Sequence, residues 1–88
     1  MAWTIEYSDK ALKALKRLDR QIAERIINAM EQKIAHKENP RQDGKPLSGR
    51  LAEYWRYRIG DYRVICLLKD EVMTILVVDI GHRGNIYQ

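Results

Sequence analysis

Apolar and polar side chains alternate at the start of the chain and then recur at helical spacing. Residues 2–7 alternate large apolar and polar side chains, which predicts a half-buried strand. Apolar residues at helical spacing predict a first helix over residues 9–18. A second apolar stripe follows the predicted cap Asp19 and runs to about His36, because the residue before Pro40 disfavours helix. The two segments predict a helical hairpin with one shared apolar face.

The second half of the chain shows the signals of a loop followed by three strands. Residues 38–50 hold both prolines and two of the five glycines, which predicts a long loop. Strands are predicted at 54–59, 62–68 and 72–80, and the last two are nearly continuous apolar runs. Gly60–Asp61 is a turn signal, and such short connections predict antiparallel pairing.

This order of elements predicts an α+β fold of topology β-α-α-β-β-β, in which a helical hairpin packs on one face of an antiparallel sheet. Residues 1–88 contain no internal repeat or low-complexity segment, and a chain of 88 residues fits one domain. We therefore expect a single domain whose second sheet face is not covered by the helices.

Strand alternation assigns the basic residues of the predicted sheet to that second face. Trp55 and Tyr57 share one side of their strand and are the better core residues. Arg56 and Arg58 are therefore expected on the side that faces away from the helices. Arg63 opens the next strand across a two-residue turn, which brings it near Arg58.

Three more basic residues are expected to approach this face, namely Lys45 and Arg50 from the preceding loop and Arg83 from the tail. Guanidinium groups are permanently charged and can donate two parallel hydrogen bonds to a phosphate. The formal charge of +4 agrees with a polyanion or an acidic protein as the partner. The alternative is a solvated sheet face on which Glu53 and Asp61 form ion pairs with the arginines.

The remaining reactive side chains do not form a familiar catalytic set. Cys66 lies inside an apolar strand and is expected to be a core residue rather than a nucleophile. His36 lies near a predicted helix C-terminus, where a capping role is expected. No Cys/His spacing indicates zinc, and the acidic residues of the turns do not form a two-metal cluster, so we expect no metal and no cofactor.

The composition and the N-terminal residues indicate the cellular compartment. Hydrophobic residues make up 45% and charged residues 32%, as in folded soluble domains. There is no apolar run long enough to span a membrane, no secretory signal, and one cysteine, which excludes an internal disulfide. These features predict a cytoplasmic protein that does not act at a membrane.

Several ordered segments resemble the RelE/ParE superfamily of bacterial type II toxins, and the resemblance covers nearly the whole chain. Its parts are the initial strand and the segments Ala11–Leu18, Lys45–Gly49, Tyr54–Ile65 and Ile80–Tyr87. The resemblance implies the RelE-like microbial RNase fold. RelE-like members cut messenger RNA in the ribosomal A site, whereas ParE-like members poison DNA gyrase and lack the nuclease residues.

The residues carried over by the resemblance favour the RelE-like branch. Arg63 matches the family arginine that stabilises the reacting phosphate, Arg83 matches the arginine of the tail, and Tyr87 matches the C-terminal tyrosine. Arg56 and Arg58 match paired basic residues that hold the RNA backbone. Because arginine does not readily release a proton near neutral pH, this pair is expected to bind RNA and stabilise charge rather than act as a general base.

The resemblance implies a metal-independent endoribonuclease in which the RNA 2′-hydroxyl attacks the adjacent phosphate, leaving 2′,3′-cyclic phosphate and 5′-hydroxyl ends. His82 is a candidate for proton transfer, and the alternative is an exposed residue that follows a strand. The implied partners are a RelB-like antitoxin, the ribosome with bound messenger RNA and, through the antitoxin, operator DNA. The alternatives are a ParE-like gyrase inhibitor without nuclease activity and a superfamily member that only binds its partner.

Overall fold

The computed structural model describes residues 2–49 and 53–82, so the predicted site residues Arg50, Arg83 and Tyr87 lie outside the described residues. The strands are β1 (Thr4–Tyr7), β2 (Lys45–Pro46), β3 (Tyr54–Ile59), β4 (Tyr62–Lys69) and β5 (Thr74–His82). The helices are α1 (Asp9–Arg17) and α2 (Arg20–Asn28), followed directly by a π turn (Ala29–Lys33) and a 3-10 turn (Ile34–His36). Two more 3-10 turns span Pro40–Gln42 and Asp70–Val72.

Both helices begin at a side chain that accepts a hydrogen bond from an unpaired backbone N–H. The backbone N–H of Ala11 donates to Ser8 Oγ at 3.1 Å, and that of Gln21 donates to an Asp19 carboxylate oxygen at 3.1 Å. The second helical path ends at His36, as the sequence predicts, but it passes through a π turn on the way. The predicted helical hairpin is confirmed.

The five strands form one sheet in the order β1-β5-β4-β3-β2. The pairs β2–β3, β3–β4 and β4–β5 are antiparallel, whereas β1 pairs with β5 in parallel. The expectation of an antiparallel sheet therefore holds for β2 to β5 and not for β1. Short turns dictate antiparallel pairing only between the strands that they join, and β1 is separated from β5 by most of the chain.

Two element boundaries also differ from the prediction. The predicted loop at 38–50 contains the 3-10 turn Pro40–Gln42 and the short strand β2. The strand predicted at 72–80 begins at Thr74, because Met73 adopts a left-handed conformation with φ of 45°. It also continues through Gly81 to His82, since both residues pair with β4.

The main core lies between the helices and one face of the sheet, which confirms the predicted α+β arrangement. Its fully buried members include Ile26 and Met30 from the second helical segment and Tyr57, Val64 and Cys66 from the sheet. Burial raises the pKa of the Cys66 thiol, in keeping with its predicted place in the core. Among the described residues, no helix is both long enough and apolar enough to cross a membrane.

Tyr57 joins the core to the segment that leads into β2. Its side chain is 1% exposed, and its hydroxyl donates a hydrogen bond to the Pro40 carbonyl oxygen at 2.8 Å. The same burial raises the pKa of the Tyr57 hydroxyl, so the group remains a proton donor throughout the neutral range. This hydrogen bond fixes the start of the segment that carries Lys45.

We predict that Tyr57→Phe lowers the free energy of unfolding by about 1–2 kcal/mol, because the substitution leaves the buried Pro40 carbonyl without a donor. Urea unfolding followed by circular dichroism measures the loss. The matched control is Tyr54→Phe, since the half-buried Tyr54 makes no hydroxyl hydrogen bond among the described residues; its effect is expected within about 0.5 kcal/mol. Equal losses in the two variants would show that the Tyr57 hydrogen bond adds no stability.

Candidate nucleic-acid interface

Three arginines lie together on the sheet face opposite the helices. In the β3–β4 register Arg58 lies directly opposite Arg63, while Tyr57 lies opposite Val64 in the core. Since successive side chains of a strand point to opposite faces, Arg56, Arg58 and Arg63 all point away from the core. We call these three side chains the arginine row, and their placement agrees with the predicted one.

Neighbouring strands extend and shape the arginine row. Lys45 of β2 pairs with Arg56, so a fourth basic residue lies at one end of the row. Gly81 of β5 pairs with Arg63 and, being glycine, adds no side chain of its own to the sheet surface beside it. The arrangement resembles a groove floor that is bordered by positive charge.

Like charges face each other across the β3–β4 pair. Directly opposite side chains have Cβ atoms about 4.5–5.5 Å apart, and two like charges at this separation destabilise a sheet. Among the described residues, neither Arg56 nor Arg58 forms an ion pair, and Glu53 and Asp61 do not reach them. For these two arginines, the alternative of a salt-bridged face is therefore not what the structure shows.

The nearest carboxylates on adjacent elements have other partners. Asp79, which pairs with Ile65 in the middle of the sheet, lies 3.2 Å from the Lys10 ammonium group. Asp43, which precedes β2, lies 3.2 Å from the ammonium group of Lys37. Each of these two acids thus forms an ion pair with a lysine outside the row.

His82 lies apart from the arginine row. Its strand partner is Tyr62, and the two rings meet edge to face with centroids 5.3 Å apart. Since Gly81 is paired with Arg63, the alternation of β5 directs His82 to the opposite face, the side of the helices. The structure therefore does not bring the predicted proton-transfer residue next to Arg63.

Sequence reasoning missed two basic residues that line a pocket at the outer edge of β3. This basic pocket has a volume of about 600 Å³ and is lined by Arg25, Ala29, Lys33, Ile34, Asp43, Gly44, Lys45, Arg56, Tyr57, Arg58, Ile59 and Gly60. Arg25 and Lys33 come from the second helical segment. Their spacing with Ala29, four residues on either side, is the sequence signal that could have placed them on one helix face.

The part of the chain that the structure describes contains no candidate metal site. Among residues 2–49 and 53–82, no group of three or more histidine, cysteine, aspartate or glutamate side chains could hold a metal ion. The basic side chains of this face carry positive charge, which suits phosphate groups.

Comparisons with known proteins agree with this fold. The model of the family described as ParE toxin of the type II toxin–antitoxin system, parDE, matches residues 5–87. The toxin RelG of Mycobacterium tuberculosis is 27% identical over 88 residues, which cover 100% of this chain and 99% of that protein.

Two solved toxin–antitoxin complexes share the fold. The toxin–antitoxin complex RelBE2 of Mycobacterium tuberculosis superposes with a TM-score of 0.86 at 25% identity, covering 97% of this chain and 95% of the matched chain. The archaeal RelE–RelB complex of Pyrococcus horikoshii gives a TM-score of 0.74 at 22% identity, and the match covers 98% of this chain and 100% of the matched chain.

We predict that Arg58→Gln raises the free energy of unfolding by about 0.2–1 kcal/mol at low salt, because it removes a like-charge pair with Arg63. The gain should shrink as added salt screens the charges. Urea unfolding at low and high ionic strength measures both effects.

The matched control is Arg20→Gln, since the exposed Arg20 guanidinium lies 3.4 Å from the Glu24 carboxylate and forms a stabilising ion pair with it. This control should show no gain at low salt. A loss of stability in Arg58→Gln would mean that Arg58 has a stabilising partner and would contradict the repulsion described above.

Proposed function

This chain belongs to the ParE toxin family of type II toxin–antitoxin systems, within the RelE/ParE superfamily. From this membership and from the arginine row, we propose that it is a ribosome-dependent endoribonuclease that cleaves messenger RNA in the A site. Its role as a type II toxin follows from the family. The cleavage activity is the proposal, and the observation that supports it best is the direct pairing of Arg58 with Arg63 beside Gly81.

A phosphodiester backbone is the ligand that this arrangement suits. Two arginines opposite each other repel, and an anion between them turns that repulsion into attraction from both sides. Gly81 leaves room for a phosphate next to Arg63, while Lys45 and Arg56 extend the charge along the sheet. Such fixed donors need no rearrangement when negative charge develops in the reaction.

The proposed reaction is attack by an RNA 2′-hydroxyl on the adjacent phosphorus, followed by departure of the 5′-oxygen. It yields a 2′,3′-cyclic phosphate and a 5′-hydroxyl, since the 2′-oxygen loses its proton to solvent and the leaving 5′-oxygen takes up a proton from solvent. Arg63 stabilises the charge on the pentacoordinate phosphate, and Arg56, Arg58 and Lys45 hold the backbone. The reaction needs no metal, because the nucleophile belongs to the substrate and arginines offset the charge.

The remaining roles belong to residues outside the described ranges. In the proposal, Arg83 holds the phosphate or leaving oxygen, Tyr87 orients the 2′-hydroxyl, and Arg50 adds to backbone binding. We assign no proton transfer to His82, because it lies against Tyr62 on the other face of the sheet. The ribosome supplies the substrate geometry in this proposal, which also places the protein in the cytoplasm.

We further propose a RelB-like antitoxin as the regulatory partner. The solved complexes that share the fold are toxin–antitoxin and RelE–RelB complexes, which supports such a partner for this chain. The proposed partner lays an acidic or amphipathic segment along the helical hairpin and the sheet edge. Binding of the pair to operator DNA would then occur through the antitoxin.

A second candidate function is a ParE-like inhibitor of DNA gyrase without nuclease activity. The observation that favours it is the description of the matching family model, which names ParE. In this case the arginine row would serve protein recognition only. Primer extension on a translated message separates the two, since cleavage within codons supports a nuclease and an intact message with DNA breaks supports gyrase poisoning.

We predict that Arg63→Ala lowers the rate of message cleavage by about 100–1000-fold, because it removes the principal donor to the developing phosphate charge. The measurement is primer extension on ribosome-bound message in a translating extract. Arg63→Lys should recover only part of the activity, since lysine keeps the charge but loses the two parallel hydrogen bonds.

Arg20→Ala is the matched control, because Arg20 is exposed and already paired with Glu24. It should cleave like the parent chain. If Arg63→Ala still inhibits translation fully and circular dichroism shows an intact fold, Arg63 is not part of the active site.

A further inference from the structure

The basic pocket lies between the second helical segment and the outer edge of β3. Over Tyr57–Ile59 this edge has no strand partner among the described residues, since β2 pairs only with Trp55 and Arg56. Gly44 and Gly60 both line the pocket. Gly44 has no room for a side chain, because a Cβ there would collide with the Arg56 carbonyl oxygen, so this segment passes close against β3.

Five cationic residues line this pocket, although strand alternation directs the side chains of Arg56 and Arg58 to the far face of the sheet. Two come from the helical segment, Arg25 and Lys33, and the others are Lys45, Arg56 and Arg58 from the sheet. None of the five forms an ion pair with a described residue, and the acidic lining residue, Asp43, is bound to Lys37 at 3.2 Å. Such a concentration of like charge in a cleft raises the local concentration of anions.

Arg25 lies beside Gly60, at the turn between β3 and β4. Gly60 has a positive φ of 59°, and a Cβ built there would lie 3.2 Å from Arg25 Nη1. The guanidinium therefore lies over the β3–β4 turn, close to the strand end that carries Arg58. A phosphate in the pocket could meet charge from the helix and from the strand at once.

The pocket also has an apolar wall. Ala29 and Ile59, which are partly exposed, form its accessible apolar surface, whereas Tyr57 and Ile34 are buried lining residues. Small-molecule pockets have volumes of about 300–1,000 Å³, so the 600 Å³ observed here suits a ligand of nucleotide size. An apolar wall beside a cationic rim matches the two halves of a nucleotide, a flat base and a phosphate.

We propose that the basic pocket binds a nucleotide of single-stranded RNA next to the one cleaved at the arginine row, with Arg25 and Lys33 contacting its phosphate. This inference rests on the proposed function, because Lys45, Arg56 and Arg58 line the pocket and also belong to the proposed RNA-binding residues. The shared residues make the two sites continuous. That continuity favours RNA over an acidic peptide, which would also be attracted by the charge.

The test is binding of a short RNA hexanucleotide that carries 2′-O-methyl groups and cannot be cleaved by its own 2′-hydroxyl. Amide NMR of the full chain should show shifts of Gly44 and Gly60, which line the pocket, and not of Gly49, which does not. In fluorescence anisotropy, Arg25→Ala/Lys33→Ala should weaken binding by about tenfold or more. The slope of log affinity against log salt should fall by about 0.7 for each lost phosphate contact.

The control is Lys16→Ala/Arg20→Ala, which removes two exposed cations of the helical hairpin that do not line the pocket. It should bind the hexanucleotide like the parent chain. Circular dichroism of both double variants confirms that each is folded.

Three outcomes would overturn the proposal. If the pocket variant binds the hexanucleotide like the parent while Arg63→Ala abolishes cleavage, the proposed function stands and the pocket has no part in it. If the pocket variant loses only the antitoxin, the pocket is a peptide-docking site. If the parent neither binds the hexanucleotide nor cleaves message, the proposed function fails together with the pocket.

Discussion

The register of β3 against β4 is the constraint on which the interface depends. It places Tyr57 opposite Val64, and both side chains enter the core. The same register places Arg58 opposite Arg63 on the other face. A slip of one residue would exchange the faces, burying unpaired charge and exposing the tyrosine. The packing on one side of the sheet therefore outweighs the repulsion on the other and keeps the charges together.

The helical segment contributes to both sides of this arrangement. Its apolar residues Ile26 and Met30 cover the sheet, while Arg25 and Lys33 turn toward the edge of β3. The π turn at Ala29–Lys33 widens the helix between these two cations and precedes the short 3-10 turn to His36. The same few turns of the segment thus pack against the sheet and place two cations at the edge of β3.

Much of the fold could be predicted because the local periods are clear. The alternation of Trp55 and Tyr57 with Arg56 and Arg58 separated core from interface, and the Gly60–Asp61 turn brought Arg63 next to Arg58. By contrast, the parallel pairing of β1 with β5 joins distant parts of the chain. The spacing of apolar residues within a strand does not indicate which distant strand it pairs with.

The site was predicted less completely than the fold. Arg25 and Lys33 were missed because a helix and a sheet edge form their pocket jointly, and their spacing alone resembles that of any solvated helix face. His82 was expected in a tail but belongs to β5, where its pairing with Tyr62 decides its direction. The roles of Arg50, Arg83 and Tyr87 remain predictions from the sequence, since these residues lie outside the described ranges.

The separation of the two sheet faces has a consequence for how such a chain can evolve. Residues of the arginine row lie outside the main core, on the face that the helices do not cover. Substitutions there are therefore screened by selection for a target and hardly at all by selection for folding. The charge pattern of this face can therefore change while the core packing that holds the fold stays the same.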